Sequence, residues 1–529
     1  MILVRNLRLS VDEPEEGLVA LAAKKLGVSA REIQDWRYVK RSLDARKKPA
    51  LAYVCSLAVQ VRGDEAALLR RADGRDCQLF EEEPPLRVQA RCAERRPVVV
   101  GFGPAGIFAA LLLAQAGTRP IVLERGQDAL TRRAAVERFR AGGPLDGENN
   151  VQFGEGGAGT FSDGKLNTGT HDKRIRFVLE QFAAHGAPGS VVYDAKPHVG
   201  TDILVEVVQN LRRHIEALGG EVRFGCRMER LLIEDGRLRG LCYTQKGEEK
   251  TLACDRAVLA LGHSARDSFL ALYEQGLAMQ PKAFSMGARI EHRQSEIDLA
   301  QYGRARGALP AADYALNVHL PDGTSAYTFC MCPGGEVIAA ASEEGGVVTN
   351  GMSLSRRDGE NANAALLVTL QPEDFPGDDV FAGLRWQRTI EQAAFACGGD
   401  YRAPAQRVGD FLAARPSEGP GAVQPSYRPG VVWCDLHEVL PKRITDVLEQ
   451  AIPALGKKLK NFDAPDAVLT APETRSSSPV RILRDETLQA AVRGVYPCGE
   501  GAGYAGGITS AAVDGLRCAE ALLETLPLA

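Results

Sequence analysis

A turn of patterned glycines between an apolar strand and an apolar helix constrains this chain more than any other feature of its sequence. The segment Val98–Gly106 follows the pattern G-x-G-x-x-G and precedes a run rich in alanine and leucine. In this pattern Gly101 permits a tight turn, Gly103 lets the backbone approach a pyrophosphate, and Gly106 lets helix and strand pack closely. Because the N–H groups of a helix N-terminus bind phosphate, the segment predicts a dinucleotide-binding turn.

The second strand of this unit ends in an acidic residue. Pro120–Leu123 is apolar and is followed by Glu124 and Arg125. A carboxylate at this point accepts both ribose hydroxyls of a dinucleotide and disfavours a 2′-phosphate. Strand, helix, second strand and terminal acid together favour a dinucleotide site over an accidental glycine-rich turn. They do not separate NAD from FAD.

The same region is long enough to be tested as a membrane span. Residues Pro97–Thr118 carry no charge and could cross a bilayer. The patterned glycines, an internal proline and the second apolar run favour a buried strand–turn–helix–strand unit instead. We therefore expect no membrane segment.

Two further glycine clusters narrow the choice of cofactor. Phe153–Lys165 is a loop whose bare backbone N–H groups suit a flat or anionic ligand, with Ser162 and Lys165 as additional donors. A flexible surface loop is the alternative. Gly494–Thr509 predicts a strand, a glycine turn and a helix. There Glu500 would accept a ribityl hydroxyl, and the positive end of the helix would face a flavin ring, which becomes anionic on reduction; a separate anion site is the alternative.

Length and composition limit the remaining possibilities. A chain of 529 residues forms several domains. Its net charge of −4 gives no reason to expect nucleic acid or a membrane surface as a partner. Its 12 cysteines form neither a zinc-type pair of C-x-x-C units nor a regular disulfide framework, so we expect free thiols in a reducing compartment and no metal site. The N-terminus lacks a signal-peptide pattern, and we expect a cytoplasmic protein.

The strand and helix patterns divide the chain into four segments. Residues 1–95 mix short strands and helices, including a short helix expected at Ala30–Asp35, and predict a small α+β module. Its basic turn Arg41–Lys48 would contact RNA or an acidic carrier protein, although a solvated charge run is the plainer interpretation. The other segments are the first part of the cofactor domain, the substrate domain and the closing part of the cofactor domain, at 96–275, 276–489 and 490–529.

Four phrases spread over nearly the whole chain carry a resemblance to a known family; they are Ser42–Lys48, Gly156–Lys165, Phe329–Gly335 and Thr474–Arg481. Together with the order of the glycine segments, they make the chain resemble the two-dinucleotide-binding-domain flavoproteins related to glutathione reductase, in the branch without a separate NAD(P) domain. More closely, the chain is similar to bacterial FAD-dependent dehydrogenases, or FAD-dependent proteins, of unassigned reaction.

The resemblance implies FAD as the cofactor and an α/β fold. Its Rossmann-type FAD-binding domain would be built from two sequence segments, with an inserted α+β substrate domain and a small ferredoxin-like α+β module at the N-terminus. No C-x-x-x-x-C or C-x-x-C pair follows the first helix, which gives no support to disulfide-reductase chemistry of the glutathione reductase type. No second G-x-G-x-x-G is present, so NAD(P)H would have to dock directly on the flavin.

The residues expected to contact FAD belong mostly to the three glycine segments. Met228 and Gly262 come from the strands between those segments. The full set is Gly101, Gly103, Pro104, Ala105, Gly106, Glu124, Arg125, Gly156, Gly157, Gly159, Ser162, Lys165, Met228, Gly262, Gly499, Glu500, Gly507 and Ile508.

Candidate catalytic residues lie mostly in the expected substrate domain. Cys330 and Cys332, two apart at the end of an aromatic strand, share one face and would form a redox or nucleophilic pair; two buried thiols are the alternative. Arg475, among hydroxyl residues, would hold a carboxylate or phosphate unless the segment is an ordinary turn. His263, which follows the strand ending at Gly262, would serve acid–base chemistry or be a packed side chain.

The sequence thus predicts an FAD-dependent oxidoreductase, a dehydrogenase or reductase that transfers hydride between the flavin and an unidentified small-molecule substrate. NAD(P)H or a redox protein would be the electron donor or acceptor. Two other classes stay open. One is a flavin-dependent RNA-modifying protein that grips tRNA through the basic turn, and the other is a non-catalytic flavin sensor.

Overall fold

The computed structural model describes residues 1–82 and 84–529. Its first unit comprises β1 (Ile2–Ser10), α1 (Gly17–Leu26), β2 (Ile33–Asp44), β3 (Ala52–Val61), α2 (Glu65–Leu69) and β4 (Cys77–Leu79). The four strands form an antiparallel sheet in the order β2-β3-β1-β4. Helix α1 packs on this sheet through Leu18, Ala22 and Leu26, which recur on one helix face. The βαββαβ order is the one that the term ferredoxin-like describes.

The segment Ala30–Asp35 is not a helix, contrary to the sequence prediction. Only Ala30–Glu32 forms a 3₁₀ turn, and β2 begins at Ile33. Ile33 and Trp36 pack against the core of the module. Side-chain packing across the sheet therefore overrides the short helical pattern, as it commonly does.

The predicted basic turn Arg41–Lys48 is partly strand, since Arg41–Asp44 belong to β2. Both its strand part and its turn part are bonded to the rest of the chain. Arg41 forms a bidentate ion pair with Asp194, with Nε–Oδ1 and Nη2–Oδ2 distances of 2.8 and 3.1 Å. Lys48 donates from Nζ to the carbonyl oxygen of Ala300 at 2.6 Å. The turn therefore attaches the first unit to two separate parts of the molecule.

The next segment alternates short strands with longer helices. Its elements are β5 (Val98–Val100), α3 (Pro104–Gln115), β6 (Ile121–Leu123), α4 (Ala129–Arg140), α5 (Arg174–Ala184), α6 (Thr201–Ala217), β7 (Glu221–Arg223), β8 (Cys226–Glu234), β9 (Arg237–Gln245), β10 (Glu248–Ala253), β11 (Ala257–Leu259) and α7 (Arg266–Glu274). Strands β8, β9 and β10 form a separate antiparallel sheet in the order β10-β9-β8.

The third segment builds a seven-stranded sheet. Its elements are β12 (Met279–Pro281), β13 (Phe284–Arg293), α8 (Gln294–Tyr302), β14 (Asn317–His319), β15 (Ser325–Cys332), β16 (Glu336–Ala339), β17 (Thr349–Met352), β18 (Asn361–Leu370), α9 (Ala382–Gly398), β19 (Ala403–Arg407), α10 (Val408–Leu412), β20 (Val431–Trp433), α11 (Lys442–Gly456), β21 (Val468–Glu473) and β22 (Val480–Ile482). The order of this large sheet is β14-β15-β18-β13-β21-β19-β20, antiparallel except between β19 and β20. Two short ribbons, β12-β22 and β16-β17, flank it.

The C-terminal elements return to the first glycine turn. They are β23 (Val495–Pro497) and α12 (Ile508–Glu524). β23 pairs in parallel with β11, and β11 pairs in parallel with β5, which gives a five-stranded parallel sheet in the order β23-β11-β5-β6-β7. Two parts of the chain that are far apart in sequence therefore share one sheet, and their strands end at the same edge.

Helix α3 is apolar on every side because it is covered on every side. Its residues from Ala105 to Ala114 are buried. Helix α12 packs so closely on it that a Cβ at Gly515 would lie 2.2 Å from the carbonyl oxygen of Ala105. The uncharged run Pro97–Thr118 is thus a buried β5–α3 unit. Among the described residues, no helix combines the length and the apolar composition needed to cross a membrane.

Replacing Gly515 by alanine tests this close contact. We expect Gly515→Ala to lower the free energy of unfolding by about 1–3 kcal/mol, because the added methyl group must displace the α3 backbone. Gly189→Ala is the matched control, since a Cβ at that position meets nothing within 4 Å. Chemical denaturation measures both variants. Equal stability of Gly515→Ala and the wild type would contradict the packing of α12 on α3.

Candidate active site

One cavity of about 440 Å³ lies where the carboxyl edge of the parallel sheet faces the large sheet. Its walls come from the turns that follow β5, β11 and β23 and from the glycine loop at Phe153–Lys165. The ends of β15 and β21 close the opposite side. The sequence-predicted glycine segments therefore surround a single space.

Most of the predicted site residues line this cavity. They are Gly101, Gly103, Pro104, Ala105, Glu124, Arg125, Gly157, Gly159, Ser162, Lys165, Met228, Gly262, His263, Cys330, Arg475, Glu500, Gly507 and Ile508.

Four predicted residues lie behind the cavity wall instead: Gly106, Gly156, Gly499 and Cys332. Gly106 packs helix on turn, since a Cβ there would lie 2.0 Å from the Gly101 carbonyl oxygen. Gly156 donates its N–H to the carbonyl oxygen of Phe102 at 2.8 Å. For Gly106 this is the close packing of helix and strand that the sequence predicts. Gly156 has a backbone partner and does not line the cavity, although the sequence predicts that it contacts the cofactor.

The carboxylate of Glu124 fixes the turns around it. Its Oε2 accepts a hydrogen bond from the N–H of Phe102 at 2.7 Å. Its Oε1 accepts from the N–H groups of Gly126 and Gly154, each at 2.9 Å. A carboxylate oxygen has two acceptor positions, so Oε2 can still accept a ligand hydroxyl.

Arg125 is held at the same end of the cavity. Its guanidinium forms bonds of 2.7 and 3.0 Å to Glu148 and two bonds of 2.9 Å to Asp267. The guanidinium carbon also lies 4.0 Å from the centroid of the Phe153 ring, a cation–π contact. These partners immobilise the side chain as part of the wall.

The glycine loop fills the space between the starts of α3 and α12. A Cβ at Gly157 would lie 2.9 Å from the Cα of Gly103, and a Cβ at Gly159 would lie 3.0 Å from the Cγ1 of Ile508. Phe161 is buried. The loop is therefore packed, and the alternative of a flexible surface loop is wrong.

The two polar donors predicted in this loop already have protein partners. Ser162 donates from Oγ to the carbonyl oxygen of Gly159 at 2.7 Å. Lys165 donates from Nζ to the carbonyl oxygen of Met331 on β15. Ser162 therefore shapes the loop, and Lys165 carries its positive charge across the cavity wall to the large sheet.

Helices α3 and α12 both begin at the cavity with a glycine N-cap, Gly103 and Gly507. A glycine has no side chain with which to satisfy the N–H groups of the first turn, so these donors are available to an anionic ligand. Burial raises the pKa of the Glu500 carboxyl to about 7.

Three glycines leave open space at the wall. A Cβ at Gly262, Gly506 or Gly507 would meet no atom within 4 Å. The cavity thus combines two glycine-capped helix starts, a carboxylate placed for a ribose, and bare backbone for a flat ring. These are the features that a dinucleotide carrying an aromatic ring requires.

The opposite wall carries a buried ion pair. Arg289 on β13 donates from Nη1 to Oε2 of Glu473 at 3.1 Å and from Nη2 to the carbonyl oxygen of Cys330 at 2.9 Å. Burial raises the pKa of Glu473 to about 7 in spite of this cation. Glu473 lines the cavity, so a carboxyl group with a raised pKa faces any ligand there.

Arg475 does not present a free guanidinium. Its Nε and Nη2 donate to the two carboxylate oxygens of Glu391 at 3.0 and 2.9 Å. Arg266 on α7 binds the same carboxylate through two bonds of 2.9 Å. Although Glu391 is buried, the two cations hold its pKa well below the usual range. The predicted role of Arg475 as a substrate clamp conflicts with these contacts, which instead join the two walls of the cavity.

His263 is a neutral imidazole in this environment. Burial and the neighbouring cations of Arg475 and Arg266 lower its pKa to about 3. Its Nδ1 lies 3.0 Å from the Oγ of Ser264. Because it is not protonated near neutral pH, His263 is a poorer candidate for a proton donor than Glu473.

The sequence prediction missed Glu473 and its pairing with Arg289. Glu473 directly precedes the Thr474–Arg481 phrase, and Arg289 is a charged residue within the apolar strand β13. A charged residue in an otherwise buried strand needs a partner of opposite charge. The position of Arg289 in β13 therefore indicates that such a partner exists. The partner itself comes from β21, a neighbour of β13 only in the folded sheet.

One group of possible metal ligands converges among the described residues: Cys498, Asp514 and Cys518. Arg484 already donates to Asp514 at 2.7 and 2.9 Å and to the Cys518 sulfur at 3.3 Å. A protein cation therefore balances this cluster.

The chain matches two family models and one full-length relative. The family model "FAD-dependent protein, C-terminal domain-like" matches residues 283–476, and a domain of unknown function matches residues 1–60. A protein of Clostridium beijerinckii (strain ATCC 51743 / NCIMB 8052), named "Uncharacterized protein", is 46% identical over 536 residues, which cover 100% of this chain and 99% of that protein.

Solved flavoprotein structures show a weaker likeness. A mutant of the halogenase PltM in complex with FAD gives a TM-score of 0.40 at 11% identity, over 82% of this chain and 70% of that one. The flavin-dependent brominase Bmp2 gives 0.39 at 12% identity, over 81% and 79%. Scores of this size carry no argument about the reaction.

The family model, together with the glycine turns and the cavity, defines an FAD-dependent protein, and FAD is its cofactor. The chain belongs to the same family as the Clostridium beijerinckii protein.

A methyl group added at Gly506 tests the FAD site without disturbing the protein core. The new Cβ meets no protein atom within 4 Å and lies at the cavity, so we expect Gly506→Ala to keep wild-type stability. Its affinity for FAD should fall about tenfold or more, which corresponds to about 1.4 kcal/mol. Gly74→Ala, also unobstructed but in the first unit, which contributes no described residue to the cavity lining, is the control. Isothermal titration of the apoproteins with FAD measures both, and unchanged affinity of Gly506→Ala would place the cofactor elsewhere.

Removing the charge of Glu391 tests the ionic link between the walls. We expect Glu391→Gln to lower the free energy of unfolding by about 3–5 kcal/mol at pH 7, because Arg475 is left buried without an ion-pair partner and Arg266 keeps only Glu343. The depressed pKa means that the wild type gains this stabilisation above the unfolded carboxyl pKa of 4.5 and loses it as the pH falls further. The two proteins should therefore converge in acid.

The exposed pair Arg176–Glu180 supplies the control for that measurement. Glu180→Gln should change the free energy of unfolding by less than about 1 kcal/mol. Equal effects of the two substitutions in pH-dependent denaturation would contradict a special role for the buried network.

Proposed function

We propose that this protein is an FAD-dependent oxidoreductase that transfers hydride between the flavin and a small-molecule substrate. The observation that supports this proposal is the shared cavity, which is lined both by the glycine-capped helix starts and by Cys330, Glu473 and Ser476 of the large-sheet wall. FAD supplies two-electron transfer when it is bound. A small molecule in the remaining space would contact these side chains, whereas a protein that only stores FAD needs no such groups.

Glu473 is the residue we assign to proton transfer. A general acid or base works best when its pKa is close to the operating pH, and the pKa of Glu473 is about 7. The 3.1 Å bond to Arg289 orients its carboxylate. Below neutral pH Glu473 holds a proton that it can donate to substrate, and above neutral pH it accepts one.

The buried network around Glu391 is a positioning device in this proposal. Arg266 begins α7, beyond the turn that follows β11, while Arg475 follows β21 of the large sheet. Both guanidinium groups bind the one carboxylate. The network therefore fixes the distance between the wall that would hold the cofactor and the wall that would hold the substrate.

NAD(P)H or a redox protein remains our proposed electron donor or acceptor. The alternative of an RNA-modifying protein has weaker support. Arg41 and Lys48, two of the cations expected to contact RNA, are instead bonded to Asp194 and Ala300. A flavin sensor would need no buried proton donor such as Glu473.

Anaerobic reduction of the bound flavin tests the proposed function. Purified holoprotein is mixed with NADH, NADPH and members of a metabolite library, and the visible flavin absorbance is followed. We expect at least one compound to bleach the flavin and a second compound to restore it. A flavin that stays oxidised with every donor, and is reoxidised by oxygen alone after photoreduction, would support a sensor.

The pH dependence of the reductive or oxidative half-reaction tests Glu473. If its proton is donated to substrate, the rate should fall about tenfold per unit above pH 7, because the carboxyl is then ionised. Glu473→Gln should react more slowly and lack this dependence. Asp313→Asn, at another carboxylate of the cavity wall, should retain it. An unchanged pH profile in Glu473→Gln would assign the proton to another group.

A further inference from the structure

Two thiols lie at an irregular point of β15, at the edge of the cavity. The pairing of β15 with β18 shifts register between Phe329 and Cys332, which marks a bulge. Cys330 within the bulge has a φ of 40°, in the left-handed region that residues with a side chain rarely adopt. Such backbone strain clusters at functional sites. Cys330 lines the cavity, whereas Cys332 lies directly behind it and is buried.

The bulge brings the two side chains together. The Cys332 thiol lies 3.3 Å from the carbonyl oxygen of Cys330. The neighbouring Cys332 thiol lowers the pKa of Cys330. One sulfur thus faces a ligand, and the second is placed to reach the first.

Two cations approach this pair, and the carboxylate of Asp163 acts against them. Arg289 donates from Nη2 to the carbonyl oxygen of Cys330 at 2.9 Å and approaches the Cys332 sulfur at 3.7 Å. Lys165 reaches the carbonyl oxygen of Met331, the residue between them. Both cations favour a thiolate at Cys330, and a thiolate is the reactive form of cysteine.

Two other thiols of the same cavity show what distinguishes Cys330. Cys226 and Cys498 also line the wall. Burial raises the pKa of Cys226 to about 11, and it raises the pKa of Cys498 as well. The raised pKa values favour the protonated form of Cys226 and Cys498, whereas the lowered pKa of Cys330 favours its thiolate.

We propose that Cys330 and Cys332 are a reversible dithiol–disulfide pair whose substrate class is a small disulfide bound in the cavity. This inference rests on the proposed oxidoreductase function and names a substrate class for it. The Cys330 thiolate attacks one sulfur of the small disulfide; that S–S bond breaks, and one thiolate leaves. The Cys332 sulfur then attacks Cys330, its proton goes to the second leaving thiol, and a Cys330–Cys332 bond forms. Two electrons pass to the small disulfide, and FAD, when bound and reduced, would supply the two electrons that convert the Cys330–Cys332 disulfide back to the dithiol.

Peptide mapping after exposure to 2-hydroxyethyl disulfide tests the pair in the holoprotein without any electron donor. In the wild type we expect a Cys330–Cys332 disulfide and release of two thiols per chain. In Cys332→Ser we expect a stable mercaptoethanol adduct on Cys330, because the resolving sulfur is missing. Cys330→Ser should give neither product. Cys226 and Cys498 serve as internal comparators in every digest and should remain unmodified.

Several results would overturn the proposal. They are a Cys330 that stays free in the wild type, thiol release from Cys330→Ser equal to that of the wild type, or equal modification of Cys226. Cys332→Ala repeats the trapping experiment in case a buried hydroxyl weakens the fold. Failure here together with donor-dependent flavin reduction would reject only the thiol pair. Disulfide formation without any flavin reduction would instead reject the proposed oxidoreductase function.

Discussion

The parallel pairing of β5, β11 and β23 is the constraint on which the rest of the structure depends. Parallel strands end at one edge of a sheet, so the turns after these three strands must meet there. This pairing places the start of α12 beside the start of α3, and the close contact of Gly515 with Ala105 leaves no room for another arrangement. Two helix N-termini from distant parts of the chain then direct their unpaired N–H groups into one cavity.

A buried ionic network holds the two walls of the cavity together, just as strand pairing holds the turns together. The large sheet contributes Glu473 and the thiols, but these matter only if the sheet is held against the cofactor turns. Glu391, shared between Arg266 and Arg475, provides that attachment, and all three side chains are buried. Burying these charges carries a desolvation penalty that offsets much of their attraction. The network therefore contributes to the site mainly by fixing the positions of its two walls.

Local sequence patterns predict the turns that bind the cofactor. The polar residues of the opposite wall depend on long-range contacts, which local patterns do not reveal. The spacing of Gly101, Gly103 and Gly106 and the acid at Glu124 are fixed by backbone geometry within one βαβ unit, so the sequence alone indicates them. The pairing of Arg289 with Glu473 arises only because β13 and β21 become neighbours in the sheet. For the same reason the sequence predicts a ligand-binding role for Arg475, because its partner Glu391 lies on a separate helix. The short helix expected at Ala30–Asp35 failed because tertiary burial decided the conformation.

The first unit is bonded to both of the segments that form the cavity. Arg41 pairs with Asp194, two residues before the cavity residue Lys196, and Lys48 bonds to Ala300 on the helix that follows β13 of the large sheet. None of the described residues of this unit lines the cavity. A substitution that releases either bond would therefore change how the two segments are held together without altering the site itself.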